Sequence, residues 1–531
     1  MSSPRTNPTA EARHRFILVI AVADRPQHLR ACLDSLLELQ RRFPYGDGSK
    51  ISVLIADDSE APAHVADNRA LAAHYGRLGI PTVHFAPGEQ LDLVESLGAQ
   101  REALRRVIGD APRERFSHKG QGAMRNIAGL KLARMLADAG DDVLIWWIDS
   151  DQEFRVKTSG AHGDEEPYAV DFFHALDAIF SRSDAAVLTG KVVGDPPVSP
   201  AVMTANFLDD VIAFLAAMAQ REPHASCSHH VAADQRQGEA AYHDMADLFG
   251  FARREAYRYR CPLPGRHDEA DCFLHFAARL GGFFHGEHPT RVSYYVADDP
   301  LASVQPARTV YAGNCVFRAS ALEYFLPFAN LRLRMSGPTL GRLIRARIGP
   351  RFVSANLPML HRRTVGGTSA AEFRPGVRVA AEAVDMGGEF ERQFYGDVML
   401  FCVERLTALG YPLELGTAET LATTLDTVRD EMLERYNARH AAIRAKLADA
   451  TALLRGASRW WNAGSAHADA VAHFEAFFAN VARNFAENSA VCRGINATEA
   501  WAAWRARLLD ALAGYPEDCR NWQRVLGRAA A

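Results

Sequence analysis

The chain has 531 residues, of which 48% are hydrophobic and 23% are charged. This balance is typical of a globular protein with about two to four domains and excludes collagen-like and largely disordered classes. Sixty Lys and Arg residues against 64 Asp and Glu residues give a formal net charge of −4, so nucleic acid is not an expected partner.

The N-terminal part of the chain alternates strand-like and helix-like segments. Residues 1–14 are polar and contain proline, which predicts a flexible tail. The apolar runs 16–23, 51–56, 82–85 and 143–148 predict buried strands, and 26–41 and 122–139 have helical spacing. This alternation predicts an α/β fold with a mostly parallel, Rossmann-like sheet and helices on both faces.

The remaining segments are less regular. Residues 185–189, 291–296, 309–317 and 352–360 predict further strands, and 204–288 predicts a mainly helical insertion. Periodic, alanine-rich sequence at 421–454 and 466–485 predicts helices, and Asn496-x-x-Glu499 has the form of a capping box. We therefore expect a C-terminal α-helical region over 376–531, which packs on the sheet or forms a homo-oligomer contact.

The cysteines and the apolar runs bear on location. Eight cysteines are scattered without a CxxC pair, which favours free thiols in a reducing compartment and predicts a cytoplasmic protein. The apolar runs noted above are far shorter than the roughly 18 residues of a membrane helix, so no transmembrane segment is expected. Arg13, Arg15 and Ala21-Val22-Ala23 imitate a signal peptide, but the apolar run between them is too short for one.

The segment VLIWWIDSDQEF places two carboxylates directly after a predicted buried strand. In parallel sheets, ligands bind at the carboxyl ends of the strands, where Asp57 and Asp58 also lie. Charge gathered there is costly unless it is paired, and Mg²⁺ or Mn²⁺ with oxygen ligands resolves it. Asp149 and Asp151 therefore predict a metal site that neutralises a diphosphate; the alternative is solvated acid in a surface loop.

Several segments, taken in order, resemble glycosyltransferases of the GT-A fold. FILVIAVADRP is similar to the first strand and donor loop, VLIADDS to the strand whose acid meets the nucleobase, and HKGQGAMRNIAG to the segment beside the diphosphate. IDSD resembles the metal motif (DXD), YAGNCVFRASAL the loop on the acceptor side, and LPMLHRR the late strand with a metal-binding histidine. The resemblance covers about residues 15–370 and implies a GT-A domain over 15–375.

The resemblance also implies roles for individual residues and a metal-dependent transfer of a hexose from a nucleoside-diphosphate sugar to a hydroxyl acceptor. Asp149 and Asp151 would be the catalytic acids and, with His361, would hold Mn²⁺ or Mg²⁺. The nucleotide-sugar would contact Ala23, Asp57 or Asp58, Lys119, Arg125, Asp149 and Asn314. The competing interpretations are an N-cap at Asp58 or Ser59, solvated helix charge at Lys119 and Arg125, and a structural role for His361.

The stereochemistry of transfer depends on a general base. Inverting members of the fold carry an acid after the Gly-Asn loop, but the stretch 332–349, RLRMSGPTLGRLIRARIG, contains neither Asp nor Glu. This favours retaining enzymes of the mannosylglycerate synthase and glucosyl-3-phosphoglycerate synthase type, with Asp298 or Asp299 as the base if the enzyme inverts. The arginines of this region predict either an anionic acceptor or a solvated helix face; they are Arg332, Arg334, Arg342, Arg345, Arg347 and Arg351.

The competing classes are a haloacid-dehalogenase-like phosphatase and a binding module without catalysis. Thr189, Lys191 and Asp298-Asp299 imitate the remaining phosphatase motifs, whereas Glu153 and the strands that precede Asp149 argue against that family.

A stretch rich in cysteine and histidine lies in the predicted insertion. Its members are Cys227, His229, His230, Cys261, His267, Cys272 and His275. Their spacing matches no standard zinc pattern, so we expect a helical insertion beside the acceptor pocket and no zinc site.

Overall fold

The computed structural model describes residues 12–136, 142–160, 163–229, 258–365, 374–381 and 383–527. Its strands are β1 (Arg15–Val22), β2 (Ile51–Asp57), β3 (Thr82–Phe85), β4 (Val143–Asp149), β5 (Gln152–Glu153), β6 (Thr158–Gly160), β7 (Gly163–Glu165), β8 (Val187–Gly194), β9 (Gln305–Pro306), β10 (Asn314–Arg318), β11 (Phe352–His361), β12 (Arg378–Ala380) and β13 (Ala383–Asp385).

The α-helices of the same residues alternate with the strands at first and then follow one another. They are α1 (Pro26–Arg42), α2 (Pro62–Arg77), α3 (Pro87–Glu95), α4 (Gln100–Ala103), α5 (Arg105–Ile108), α6 (Gln121–Met135), α7 (Phe172–Arg182), α8 (Pro200–Met218), α9 (Glu269–Arg279), α10 (Ser336–Ile348), α11 (Gly387–Ala408), α12 (Ala418–Arg455), α13 (Ala468–Phe485), α14 (Ala490–Asn496) and α15 (Thr498–Val525).

Within the described residues, the central sheet has nine strands in the order β3-β2-β1-β4-β10-β8-β11-β5, and β9 pairs with β11. The pairings make β1, β2, β3, β4, β8 and β11 run in one direction, and β5, β9 and β10 run in the other. The prediction of an α/β fold with a mostly parallel sheet and a C-terminal helical region is therefore confirmed.

The alternation of side chains along β1 divides the core into two layers. Phe16, Leu18 and Ile20 face a layer that also contains apolar residues of α1, α2 and α7. Ile17 and Val19 face the opposite layer, which is shared with α6, α8 and the C-terminal helices. Both faces are covered, which explains why β1 reads as a continuous apolar run.

The C-terminal helices pack on the second face of the sheet, as predicted. The ring of Trp522 on α15 is so close to Gly129 of α6 that a Cβ there would come within 3.3 Å of it. Lys446 of α12 donates to Asp209 of α8 at 2.7 Å. The alternative role of these helices, self-association, stays a prediction.

One described helix, α8, is long and apolar enough to cross a membrane, which the sequence analysis did not anticipate. Its most apolar window is 67% buried inside the protein. Burial of this extent is what a core helix of a soluble protein has, and α12 lies along it.

Four predicted local features are wrong or displaced. Residues 291–296 are not a strand, because Ser293 forms only an isolated bridge to Gly194, and the strand predicted at 309–317 begins at Asn314. Residues 219–229 and 258–268, in the predicted helical insertion, are not helical. Asn496 ends α14 and donates to the carbonyl of Cys492 at 2.8 Å, so it does not cap α15.

The predicted tail falls mainly outside the described residues, which begin at 12. Its last residue is ordered, however. His14 is buried, and its backbone N–H and its ring contact Asp177 at 2.8 and 2.6 Å.

Candidate active site

A cavity of about 530 Å³ opens at the carboxyl edge of the parallel strands. The chain after β1, β2, β4, β8 and β11 and the chain before β10 contribute to its lining. Residues that follow parallel strands converge at one edge of the sheet, so widely separated segments meet there. Asp149, Asp151 and His361, the three predicted metal ligands, all line this cavity.

Asp149 is the last residue of β4 and is held by a cation from another element. The Arg125 guanidinium of α6 donates to Asp149 Oδ1 and, at 3.2 Å, to the carbonyl of Ala312. A Cβ at Gly313 would lie 3.2 Å from Asp149 Oδ2, so the glycine leaves that carboxylate room. Burial raises the pKa of Asp149, Arg125 opposes this rise, and the nearby Asp151 adds to it.

Asp151 is surrounded by basic groups from two segments, the chain after β1 and the end of β11. Its Oδ2 atom lies 3.4 Å from His361 Nε2, 3.5 Å from Arg25 Nη1 and 3.7 Å from Arg363 Nη1. Burial acts to raise the pKa of Asp151, but His361 and the two guanidinium groups hold it far below its usual value. Asp151 is therefore a buried carboxylate that stays charged.

The backbone fixes the position of this group. The amide of Ser150 donates to the carbonyl of Ala21 at 3.1 Å, and the amide of Arg362 donates to the carbonyl of Asp151 at 3.0 Å. The chain after β4 is thereby attached to both β1 and β11.

The donor atoms of this group fit one divalent cation. A separation of 3.4 Å between Asp151 Oδ2 and His361 Nε2 suits two ligands that each bind an ion at about 2.1 Å. His361 Nδ1 lies 2.5 Å from the carbonyl oxygen of Asp195, and a proton on Nδ1 leaves the Nε2 lone pair for a metal.

Of the residues predicted to contact the nucleotide, Ala23 and Asp58 line the cavity with Arg125 and Asp149, and Asp57 lies beneath it. Asp57 accepts from the backbone of Ser59 at 2.9 Å and from Asn68 at 3.0 Å. Burial acts to raise the pKa of Asp57, but bonds from His84, Ser59 and Asn68 lower it overall. The predicted N-cap at Asp58 or Ser59 is wrong, because α2 begins after Ala61.

Lys119 lies behind the cavity wall and does not line it. Its Nζ atom donates to Asp58 Oδ1 at 2.5 Å and to the carbonyl of Phe116 at 3.1 Å. Burial lowers the pKa of Lys119, and Asp58 opposes this shift. Lys119 and Arg125 are both buried, so the alternative of solvated helix charge is wrong.

Asn314 connects the strands beneath the cavity. Its Oδ1 atom accepts from Trp146 at 3.0 Å, and its Nδ2 atom donates to the carbonyls of Lys191 at 3.0 Å and Leu357 at 2.8 Å. A Cβ at Gly190 would come within 2.2 Å of that Nδ2 atom. The polar atoms of this side chain are thus hydrogen-bonded to residues of the sheet, and the side chain does not line the cavity.

The predicted arginine cluster divides between the cavity and the rest of the molecule. Arg332 and Arg334 line the cavity. Arg342 is buried and donates to the carbonyl of Arg308 at 2.7 Å, and Arg347 lies over the ring of Tyr324 at 4.8 Å. Arg345 and Arg351 are exposed on or just after α10 and do not line the cavity. Only two of the six arginines therefore bear on a ligand in the cavity.

Two further arginines and one acid join this wall, which the sequence analysis missed. Arg374, Glu389 and Arg392 line the cavity beside Arg332 and Arg334. Arg334 Nη1 lies 3.4 Å from Glu389 Oε1, and Arg392 donates to the carbonyl of Arg332 at 2.6 Å. Burial and the neighbouring arginines lower the pKa of Arg392 to about 10.

Strained backbone is concentrated at this site. Within the described part of the chain, five residues other than glycine have positive φ, and His118 (47°), Arg332 (51°) and Met335 (65°) among them line the cavity. Each such conformation costs about 1–2 kcal/mol and persists where the surroundings impose it, commonly at functional sites.

Some of the missed residues carried a sequence signal. Arg25 lies three residues after β1 and Arg363 two residues after the end of β11, so the convergence of strand ends identifies both. Glu389 and Arg392 lie on a C-terminal helix, and no local pattern connects that helix to the cavity.

The chain matches no protein-family model and no curated protein sequence.

Proposed function

We propose that this chain is a metal-dependent glycosyltransferase of the GT-A type, which transfers a hexose from a nucleoside-diphosphate sugar to an anionic hydroxyl acceptor. The observation that carries the proposal is the charged group of Asp151, His361 and Asp149 in a cavity at the carboxyl edge of a parallel sheet. The cavity volume of about 530 Å³ lies in the range of small-molecule sites.

The acidic group prepares the site for a diphosphate. Asp151 and His361 would hold Mn²⁺ or Mg²⁺, which when bound neutralises the diphosphate and the charge that develops on the leaving group. Arg125 fixes the carboxylate of Asp149, and Arg25 and Arg363 keep Asp151 ionised. Because these groups are already oriented, little reorganisation is needed when the donor binds.

The arginine-rich part of the lining favours an acceptor that carries a carboxylate or a phosphate. Arg332, Arg334, Arg374 and Arg392 bring four guanidinium groups to the lining, against the single carboxylate of Glu389. Guanidinium groups bind such anions with paired, charge-assisted hydrogen bonds. The strained backbone at Arg332 and Met335 supports a binding role for this loop, since strain is retained where function requires a fixed geometry.

The stereochemistry follows from the role of Glu389. The lack of an acid in 332–349 favours retention, but Glu389 reaches the same wall from α11. If Glu389 deprotonates the acceptor, the product of the wild-type enzyme has the inverted anomeric configuration, and Glu389→Gln abolishes transfer. If it only orients Arg334, the variant raises the acceptor KM and the anomer is retained. NMR of the product distinguishes the two mechanisms.

The phosphatase alternative lacks support at the cavity. Thr189 accepts from the backbone of Tyr311 at 2.9 Å, and Asp298 and Asp299 are exposed. None of these three residues, nor Lys191, lines the cavity.

The experiment is an incubation of the full chain with UDP-, GDP- and ADP-sugars, with and without Mn²⁺. The expected result is slow release of the nucleoside diphosphate from one donor, which accelerates when a phosphorylated or carboxylated hydroxyl acceptor is added. Release of inorganic phosphate from phosphate esters, with no reaction of any nucleotide-sugar, would instead support the phosphatase.

The eight free cysteines are compatible with the proposed cytoplasmic location.

A further inference from the structure

Three cysteines and one histidine meet outside the cavity, in the layer of helices that covers the second face of the sheet. They are Cys227, Cys261, His267 and Cys272, and none of them lines the cavity. We propose that these four side chains bind one structural Zn²⁺ ion. The proposal is independent of the transferase activity, and it revises the expectation that this stretch holds no zinc site.

The positions of the ligand atoms support one shared ion. Cys272 Sγ lies 3.2 Å from Cys227 Sγ and 3.5 Å from Cys261 Sγ, and Cys261 Sγ lies 3.1 Å from His267 Nε2. All four ligand atoms lie within 4.8 Å of one another. Tetrahedral zinc with bonds of about 2.3 Å to sulfur requires neighbouring sulfur atoms roughly 3.8 Å apart. Small shifts of free thiols therefore reach zinc geometry.

The chemistry of the four groups selects zinc over a hard cation. Thiolate and imidazole are ligands of zinc, whereas Mg²⁺ and Mn²⁺ prefer oxygen. Binding replaces three S–H protons, which pass to solvent, and uses the lone pair of His267 Nε2, so the complex carries a net charge of −1. Four protein ligands leave no position for water or substrate, which is the coordination of a structural site.

The surroundings orient the ligands. His267 Nδ1 lies 3.1 Å from the carbonyl oxygen of Gly265, and a proton donated there leaves Nε2 for the metal. The amide of His229 donates to Cys227 Sγ at 3.4 Å, which stabilises a thiolate at that atom. Cys272 sits in the first turns of α9, whose start is fixed by a capping box between Asp268 and Asp271.

The four ligands come from three segments that backbone hydrogen bonds also hold together: the chain around Cys227, the chain from Cys261 to His267, and α9. Cys227 precedes residues 230–257, which lie outside the described part of the chain, and Cys261 follows them. The amide of Cys261 donates to the carbonyl of His229 at 3.2 Å, and the amide of Cys227 donates to the carbonyl of His267 at 3.1 Å. An ion here would tie Cys227 and Cys261, which flank these residues in the sequence, to α9, and a metal that joins residues distant in sequence stabilises the folded state.

The first test measures zinc in the full chain, purified under reducing conditions without added metal. We expect about one zinc per chain in the wild type and a loss of most of it in Cys261→Ser and His267→Asn. The matched control is Cys492→Ser, because Cys492 is also buried beside a histidine, with Sγ 3.1 Å from His440 Nδ1, but outside the cluster. This control is expected to keep its zinc.

A second measurement covers the possibility that the loss variants do not fold. Wild-type protein is stripped with a chelator and refilled with Co²⁺, whose visible absorption reports tetrahedral thiolate coordination. His267→Cys should retain the metal and shift this spectrum towards four sulfur ligands. Stripping should lower the melting temperature by about 5 °C or more, and refilling should restore it.

Three outcomes would overturn the proposal. The first is a wild-type chain that contains no zinc and takes up no Co²⁺ with thiolate absorption. The second is full zinc content in both Cys261→Ser and His267→Asn. The third is a disulfide between two of the cluster cysteines in protein isolated with its thiols blocked, detected by mass spectrometry.

Discussion

Asp151 at the edge of the sheet and Asp397 in α11 are both buried carboxyl groups, but their surroundings shift their pKa values in opposite directions. Burial acts to raise the pKa of Asp151, yet a histidine and two arginines hold it far below its usual value. Burial raises the pKa of Asp397 to about 7, because hydrogen bonds from a tyrosine and a glutamine only partly oppose it. The first carboxyl is kept charged, and the second is about half protonated at pH 7.

The same contrast extends to the two regions that contain these acids. The sheet edge gathers cations from distant segments and keeps its carboxylates ionised inside an open cavity, as binding of a charged ligand requires. The helical layer holds apolar residues, Asp397 with its raised pKa, and the cluster of three cysteines and one histidine. We infer that charge at the sheet edge serves chemistry, whereas polar groups in the helical layer serve stability.

The largest expected effect comes from removing the charge at the sheet edge. Asp151→Asn keeps the shape of the side chain but removes the charge of a proposed metal ligand that also contacts His361, Arg25 and Arg363. We expect transfer to fall by about 10³-fold or more, because electrostatic stabilisation of the leaving group is lost. The measurement is release of nucleoside diphosphate with Mn²⁺, together with Mn²⁺ binding.

Asp67→Asn is the matched control, since Asp67 is exposed on α2 and does not line the cavity. It should keep wild-type turnover. Wild-type turnover in Asp151→Asn as well would contradict the role that we assign to the acidic group.

A smaller effect is expected at the arginine wall. Arg392→Gln removes a guanidinium group from the acceptor side and leaves the acidic group intact. We expect the KM for a carboxylated or phosphorylated acceptor to rise about 10- to 100-fold, with the donor KM nearly unchanged, because only one of the two substrates loses an ionic contact.

Arg345→Gln is the control for this change, since Arg345 is exposed on α10 and does not contribute to the cavity. An equal rise in KM for both substrates in Arg392→Gln would show that the wall does not select the acceptor.

The acidic group at the sheet edge and the arginine wall differ in how far the sequence could predict them. β1, β2 and β4 are continuous apolar runs because both faces of the sheet are covered, and their carboxyl ends bring Arg25 and Asp58 to the same cavity as Asp149 and Asp151. Glu389 and Arg392 come from a helix more than 200 residues further along, and their place at the cavity depends on how that helix packs.

The cluster of three cysteines and one histidine could not be predicted for a similar reason. Zinc patterns in sequence depend on ligands that share one turn or one hairpin, whereas Cys227 and Cys261 are separated by a long connection and meet only in three dimensions. The strand predicted at 291–296 fails for the opposite reason, because its residues are locally suited to a strand but, within the described part of the chain, form isolated bridges and no ladder with a neighbouring strand.

The smallest expected effect tests the helical side of the comparison. The pKa of Asp397 is about 7 in the folded chain, against 3.8 for an unperturbed aspartate. Between these values the folded state binds more protons than the unfolded state, so the free energy of unfolding should decrease as the pH rises from about 4 to 7. Asp397→Asn removes this titration and should narrow the difference in the free energy of unfolding between pH 5 and pH 8 by about 2–4 kcal/mol, which is seen as a smaller difference in melting temperature. Thermal unfolding of both proteins at the two pH values provides the measurement, with Asp67→Asn as the control that keeps the wild-type difference. An undiminished difference in Asp397→Asn would mean that this acid is already charged in the fold, and the contrast with Asp151 would then be lost.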